Sequence, residues 1–143
     1  VPDAVVNEAM LQPIFAMAAL TAVVWVRMFL MRLGQMKRER IHPQAVATSA
    51  QVVAKLTDSR AADNFRNLFE LPVLFYAAAM VAMLMNVVTP VSLGLAWAFV
   101  LLRVAHSLIQ CTYNRVMHRF WAYALGGVAL WSLWLYLALY SLL

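Results

Sequence analysis

The sequence predicts an all-α integral membrane protein, a single four-helix bundle over residues 1–143. Three observations carry that expectation. Apolar residues make up 65% of the chain and charged residues 12%, with mean hydropathy +0.77, which excludes a soluble domain whose polar residues cover a modest core. Four apolar runs, about 11–31, 68–88, 91–111 and 120–143, each approach the roughly 20 residues that a membrane-spanning helix needs. The remaining charge collects in the connections, above all a loop at about 32–58. Four crossings consume nearly all of the length, and a bundle this small has little private interior for a ligand. A sizeable cavity, and with it an oligomer, is therefore expected between copies.

Each span has its own start and stop chemistry. The first begins after Gln12 and Pro13, where the opening turn of a helix tolerates a missing N–H. Arg27 falls near its far end, within reach of lipid headgroups by snorkelling. Val1 to Asn7 has no positive n-region and the run is too long for an h-region, so no cleavable signal peptide is expected. Gly34 to Thr57 is polar, contains Pro43, and is the only loop long enough to fold over an entrance, with a short helix possible from Gln44 to Leu56. Thr57, Asp58 and Ser59 are N-cap candidates for a second helix running unbroken from about Ser59 to Val88, with its first turns in water and a kink from Pro72 freeing a carbonyl near Leu68. Thr89 and Pro90 separate it from the third helix, and the fourth follows from Phe120.

The net charge of +5 is a topology signal rather than a nucleic-acid footprint. Arg32, Lys37, Arg38, Arg40, Lys55 and Arg60 lie between the first and second runs, and Arg115 and Arg119 between the third and fourth. Two crossings separate these connections, so they share one face of the membrane. By the positive-inside rule that face is cytoplasmic and both termini lie outside, where Asp3 and Glu8 fit; the cations also suit lipid headgroups. Cys111 is the only cysteine, so no intrachain disulfide or thiolate zinc cluster forms, and the three histidines lack metal-ligand spacing. No metal is expected.

Three polar stripes converge on the cytoplasmic half. Asp63, Arg66, Asn67 and Glu70, at i, i+3, i+4 and i+7, share one face of the second helix. Arg103, His106, Gln110 and Tyr113 form a stripe on the third, and Arg119 and Tyr123 lie at i, i+4 on the fourth. Ionisable groups at such depth face the bundle interior and either pair or do chemistry. Each also has a structural reading: Glu70 and Arg103 as a buried pair holding two helices, Asn67 as an interhelical hydrogen bond, His106 as a packing residue. As a site, the arginines at 66, 103, 115 and 119 grip carboxylates while Glu70 and Asp63 hold an ammonium, which suits a small zwitterion with several carboxylates. Nothing resembles a Walker loop, a Rossmann glycine pattern or a zinc-protease helix.

These residues resemble the MAPEG family, small membrane proteins of eicosanoid and glutathione metabolism, and in particular its bacterial-looking members similar to microsomal glutathione transferases. The likeness rests on Asp-Asn-Phe-Arg-Asn-Leu-Phe-Glu-Leu-Pro at 63–72, Arg-Val-Ala-His at 103–106, and the spacing of Arg119 and Tyr123. The four-span order agrees along nearly the whole chain. The resemblance implies a homotrimer of four-helix bundles, in a bacterial inner membrane, binding glutathione as cosubstrate between protomers near the cytoplasmic side. It implies that Arg66, Asn67, Glu70 and Arg103 hold glutathione, that Tyr123 adds a hydrogen bond, and that Arg119 stabilises the thiolate. Arg38 is the nearest match to a cation assigned to the second, lipophilic substrate. The chain departs from the pattern at Gln110, where several members carry tyrosine, and at Asp63 and Phe65, which replace basic residues and weaken anion binding.

The function expected from this resemblance is a glutathione-dependent transferase or peroxidase acting on lipophilic electrophiles. A non-catalytic membrane scaffold or accessory subunit is the alternative, and an isomerase that uses the thiol without consuming it is a third.

Overall fold

A computed structural model describes residues 7–143; residues 1–6, with Asp3 and most of the stretch read for a targeting signal, lie outside the described residues. The helices in order are α1 (Leu11–Arg38), α2 (Ser49–Lys55), α3 (Arg60–Asn67), α4 (Leu71–Leu84), α5 (Pro90–Cys111) and α6 (Val116–Tyr140), with a 3-10 turn at Pro43–Val46. Together α3 and α4 make one membrane-length segment, Arg60–Leu84, so among the described residues four segments are long and apolar enough to cross a bilayer. The all-α membrane bundle expected from composition is the fold found.

Local chemistry sets the ends. Arg40 and Asn86 adopt positive φ, 52° and 56°, and the next amides bond back five residues, Ile41 to Met36 and Val87 to Ala82, closing α1 and α4 in Schellman fashion. The second span accordingly stops at Leu84 rather than near Val88. Thr89 opens α5 with a reciprocal capping box to Ser92 and Pro90 in the first turn, and its hydroxyl meets Tyr136 Oη of α6 at 2.9 Å. The 32–58 region contains the helix α2, capped by Thr48 and Gln51, and is tied to α1 by buried Gln35, whose amide donates to Thr57 Oγ1 at 3.1 Å.

The second span is interrupted, not merely kinked. The expected continuous helix ends at Asn67, turns through Leu68–Glu70, and restarts with Pro72 in the first turn of α4. Proline is well suited to a helix start, since the N–H it lacks would have had no intrahelical partner there.

Packing concentrates on α4, α5 and α6. Phe75 and Phe99, both fully buried, stack with ring centroids 4.9 Å apart, and Leu130 and Leu133 of α6 close the same core. Lipid is as apolar as these side chains, so close packing and interhelical hydrogen bonds hold the helices together. The end of α5 is gripped from two other spans: Arg27 of α1 donates to the Cys111 carbonyl at 2.6 Å and Arg60 of α3 to the Thr112 carbonyl at 3.0 Å. Arg27 thus caps a neighbouring helix, the favourable place for a cation beside a helix C-terminus. The same two contacts put the connections at 39–59 and 112–115 at one end of the bundle.

Candidate functional site

At that end, α3, α5 and α6 enclose an open cavity of about 530 Å³. Helix α3 and the following turn supply Asp63, Arg66, Asn67 and Glu70; α5 supplies His106 and Gln110; α6 supplies Val116, Arg119, Phe120 and Tyr123. The i, i+3, i+4 spacing puts the α3 residues on one face, and the break after Asn67 carries Glu70 to the same wall. Five of the seven residues singled out from sequence, Arg66, Asn67, Glu70, Arg119 and Tyr123, thus share one cavity.

Arg103 and Arg38 do not line it. Arg103 is fully buried behind the wall, its Nη2 donating to the Asn67 carbonyl at 2.8 Å and its guanidinium carbon 5.3 Å from the centroid of the Tyr123 ring. It forms no ion pair with Glu70; among the described residues the only ion pair is Arg60–Asp58 at 2.8 Å. Arg38 lies in a separate hollow with Leu30, Met31, Gly34, Gln35 and Asp58.

The wall is held by polar contacts between helices. Asn67 Nδ2 donates to Gln110 Oε1 at 3.2 Å, Ser107 Oγ to Asn64 Oδ1 at 3.1 Å, and Asn64 Nδ2 to Cys111 Sγ at 3.4 Å. His106 lies beside Tyr123, ring centroids 5.9 Å apart. Three buried nitrogens nearby, Arg103 Nε, Arg103 Nη1 and His106 Nδ1, have no partner among the described residues. An unpaired buried donor costs about 1–3 kcal/mol, and the two on Arg103 lie behind the cavity wall rather than on it. Asp58, outside the cavity, is held below the usual carboxylate range by the hydrogen bond from the Arg60 side chain.

Three features differ from the sequence expectation or were absent from it. His106 lines the cavity, as its place in the α5 stripe predicts, but its Nδ1 has no partner among the described residues, whereas a hydrogen-bonded packing role was the structural alternative. Tyr113, placed by spacing on the α5 stripe, lies beyond the helix end and pairs with His118 Nδ1 at 3.1 Å. Asn114 accepts from Arg119 Nη1 at 2.8 Å; it sits in a turn, and only its position just before a helix start marked it.

A multi-pass helical membrane protein that opens a charged, aromatic-backed cavity at one end of its bundle is the class defined by this fold and site. Residues 10–139 of the 143-residue chain match the MAPEG family, and the chain belongs to that family. Membership places it among membrane proteins of glutathione or eicosanoid metabolism in general. No curated protein and no solved structure gives a significant match.

Proposed function

We propose that the protein is a glutathione-dependent membrane transferase or peroxidase acting on lipophilic electrophiles, with glutathione held in the α3–α5–α6 cavity near the cytoplasmic side. The observation that carries this reading is the gathering of Arg66, Asn67, Glu70, Arg119 and Tyr123 in one cavity. Its volume falls within the range of small-ligand pockets, roughly 300–1,000 Å³. Two guanidinium groups complement the two carboxylates of the tripeptide, and Glu70 or Asp63 complements its ammonium.

Arg119 is the proposed catalytic residue. A thiol with pKa near 8.5 is only a few per cent ionised at neutral pH, and the thiolate is the nucleophile. Lowering that pKa by ~2 units requires about 2.7 kcal/mol of preferential stabilisation of the anion, within reach of an arginine in a poorly hydrated site. The thiolate sulfur then bonds to an electrophilic carbon as the leaving group departs with its electron pair, or attacks a hydroperoxide oxygen as the O–O bond breaks, releasing an alkoxide that is protonated to the alcohol and a glutathione sulfenic acid that a second glutathione converts to the disulfide and water. The electrophile arrives from the membrane.

In this reading the protein is a homotrimer in a bacterial inner membrane, with both termini outside and the basic connections in the cytoplasm. Support for a shared site comes from the cavity's open side, whose rim carries Val116 and Phe120, both more than half exposed in one protomer. Arg38, separated from the cavity within its own protomer, acts on the lipophilic substrate only from a neighbouring copy.

The scaffold reading draws on Arg103, which serves the backbone of the second span rather than the cavity. Calorimetric titration of glutathione into the detergent-purified protein separates the two. Binding by the wild type that is lost in Arg119→Ala and Glu70→Gln, with the assembly state unchanged, is the result expected of the enzyme. Absence of binding heat, together with no thiolate absorbance in the ultraviolet, sinks the transferase reading.

A further inference from the structure

We infer that Asn114 is a positioning residue that fixes the Arg119 guanidinium at the mouth of the cavity. The inference rests on the assignment of Arg119 to the thiolate. The side-chain oxygen of Asn114 accepts from Arg119 Nη1 at 2.8 Å, and this is the hydrogen bond that the Arg119 side chain makes among the described residues. A guanidinium has five N–H donors, so one anchored nitrogen leaves the others free for an anion. Without an anchor, a long side chain in the first turn of α6 has many rotamers, and holding it ready lowers the ordering cost at binding.

The backbone around Asn114 is built for this. Its φ is 49°, a left-handed conformation that asparagine tolerates better than other side chains bearing a Cβ. Its amide closes the end of α5 by donating to the Ile109 carbonyl at 2.8 Å. The preceding residues are pinned through the carbonyls of Cys111 and Thr112 by Arg27 and Arg60, and Tyr113 and His118 bridge the turn. The side chain of Asn114 does not cap α6, which starts at Val116 with Arg115 as its N-cap residue and no side-chain cap. The oxygen goes to Arg119 instead. A neutral acceptor suits the task, because it orients the cation without cancelling the charge that an anion needs.

Two substitutions at this position test the anchor without disturbing the turn. Asn114→Gly keeps positive φ accessible and removes the acceptor, whereas Asn114→Asp keeps the acceptor and adds a negative charge. The ligand-free full chain in detergent is labelled with phenylglyoxal and modification of Arg119 is followed by peptide mass spectrometry. Labelling is expected to accelerate about fivefold in Asn114→Gly, the factor that one ordinary net hydrogen bond is worth, and to slow in Asn114→Asp. Rates equal to wild type in both variants overturn the inference, whether or not glutathione binds. With glutathione added, the apparent pKa of the bound thiol, read by ultraviolet titration, should rise in both variants while their melting temperatures stay close to wild type. A thiol pKa unchanged in both overturns the link to catalysis. Failure of the wild type to show any thiolate signal counts against the glutathione assignment alone, since the labelling arm still decides the anchor.

Discussion

Arg103 and Asn67 meet through the backbone: a fully buried guanidinium on α5 donates to the main-chain carbonyl that ends α3, at 2.8 Å. That carbonyl is exposed to a partner because the second span breaks just beyond it, at Leu68–Glu70. Non-helical backbone at membrane depth survives where protein satisfies its polar groups or where it lines a water-filled cavity. Arg103 performs that service, and the arrangement places a cation at a helix C-terminus, where the dipole favours it.

Arg103→Leu is therefore expected to behave as a stability variant. Losing this charged hydrogen bond should cost about 1.5–3 kcal/mol, the Asn67 carbonyl keeping only the Glu70 amide at 3.3 Å. Thermal unfolding in detergent should show the loss, whereas Glu70→Gln, which sits on the cavity wall, should unfold like the wild type. Equal melting temperatures for Arg103→Leu and wild type would remove Arg103 from this structural role.

The Phe75–Phe99 stack joins α4 to α5 in the centre of the core. Phe99→Ala should cost about 3–5 kcal/mol by opening a cavity that the neighbouring helices fill only in part. A loss below about 1 kcal/mol in equilibrium unfolding would mean that the helices repack around the gap.

Gln110 accepts from Asn67 Nδ2 and so orients an amide on the cavity wall. Gln110→Leu leaves that donor without its partner, and glutathione affinity in calorimetry should fall about fivefold, the worth of one net hydrogen bond. An unchanged dissociation constant would show that Asn67 finds its orientation without Gln110.

Acid should loosen the end of α5. Asp58 binds Arg60 through both carboxylate oxygens, at 3.0 and 2.8 Å, and Arg60 in turn holds the Thr112 carbonyl. Because the folded carboxyl is held below its unfolded value, its contribution is fully present above about pH 4 and fades as pH falls through the depressed value. The pair is solvent-exposed, so the effect is small; protection at the 112–115 turn, taken relative to the intrinsic exchange rate at each pH, should fall in acid in the wild type and stay constant over that range in Asp58→Asn.

The fold was legible because length and apolarity leave few alternatives: four long apolar segments in 143 residues have to pack as helices. Much of the cavity was legible for the same reason, since helical spacing alone brings Asp63, Arg66 and Asn67 to one side. The break in the second span was not, because Pro72 predicts a lost hydrogen bond but not whether the helix bends or restarts. Once the break is known, Arg103 has a backbone partner that no side-chain inventory would have offered it. Asn114 lay in a turn, outside every periodic stripe, so spacing could assign it nothing.

The double grip of Arg27 and Arg60 on the end of α5 also orders events during biosynthesis. A nascent chain that has delivered only its first two crossings holds both arginines before their acceptor carbonyls have been made. For those two cations, the grip closes only after the chain has been made through Thr112 and that stretch has left the ribosome.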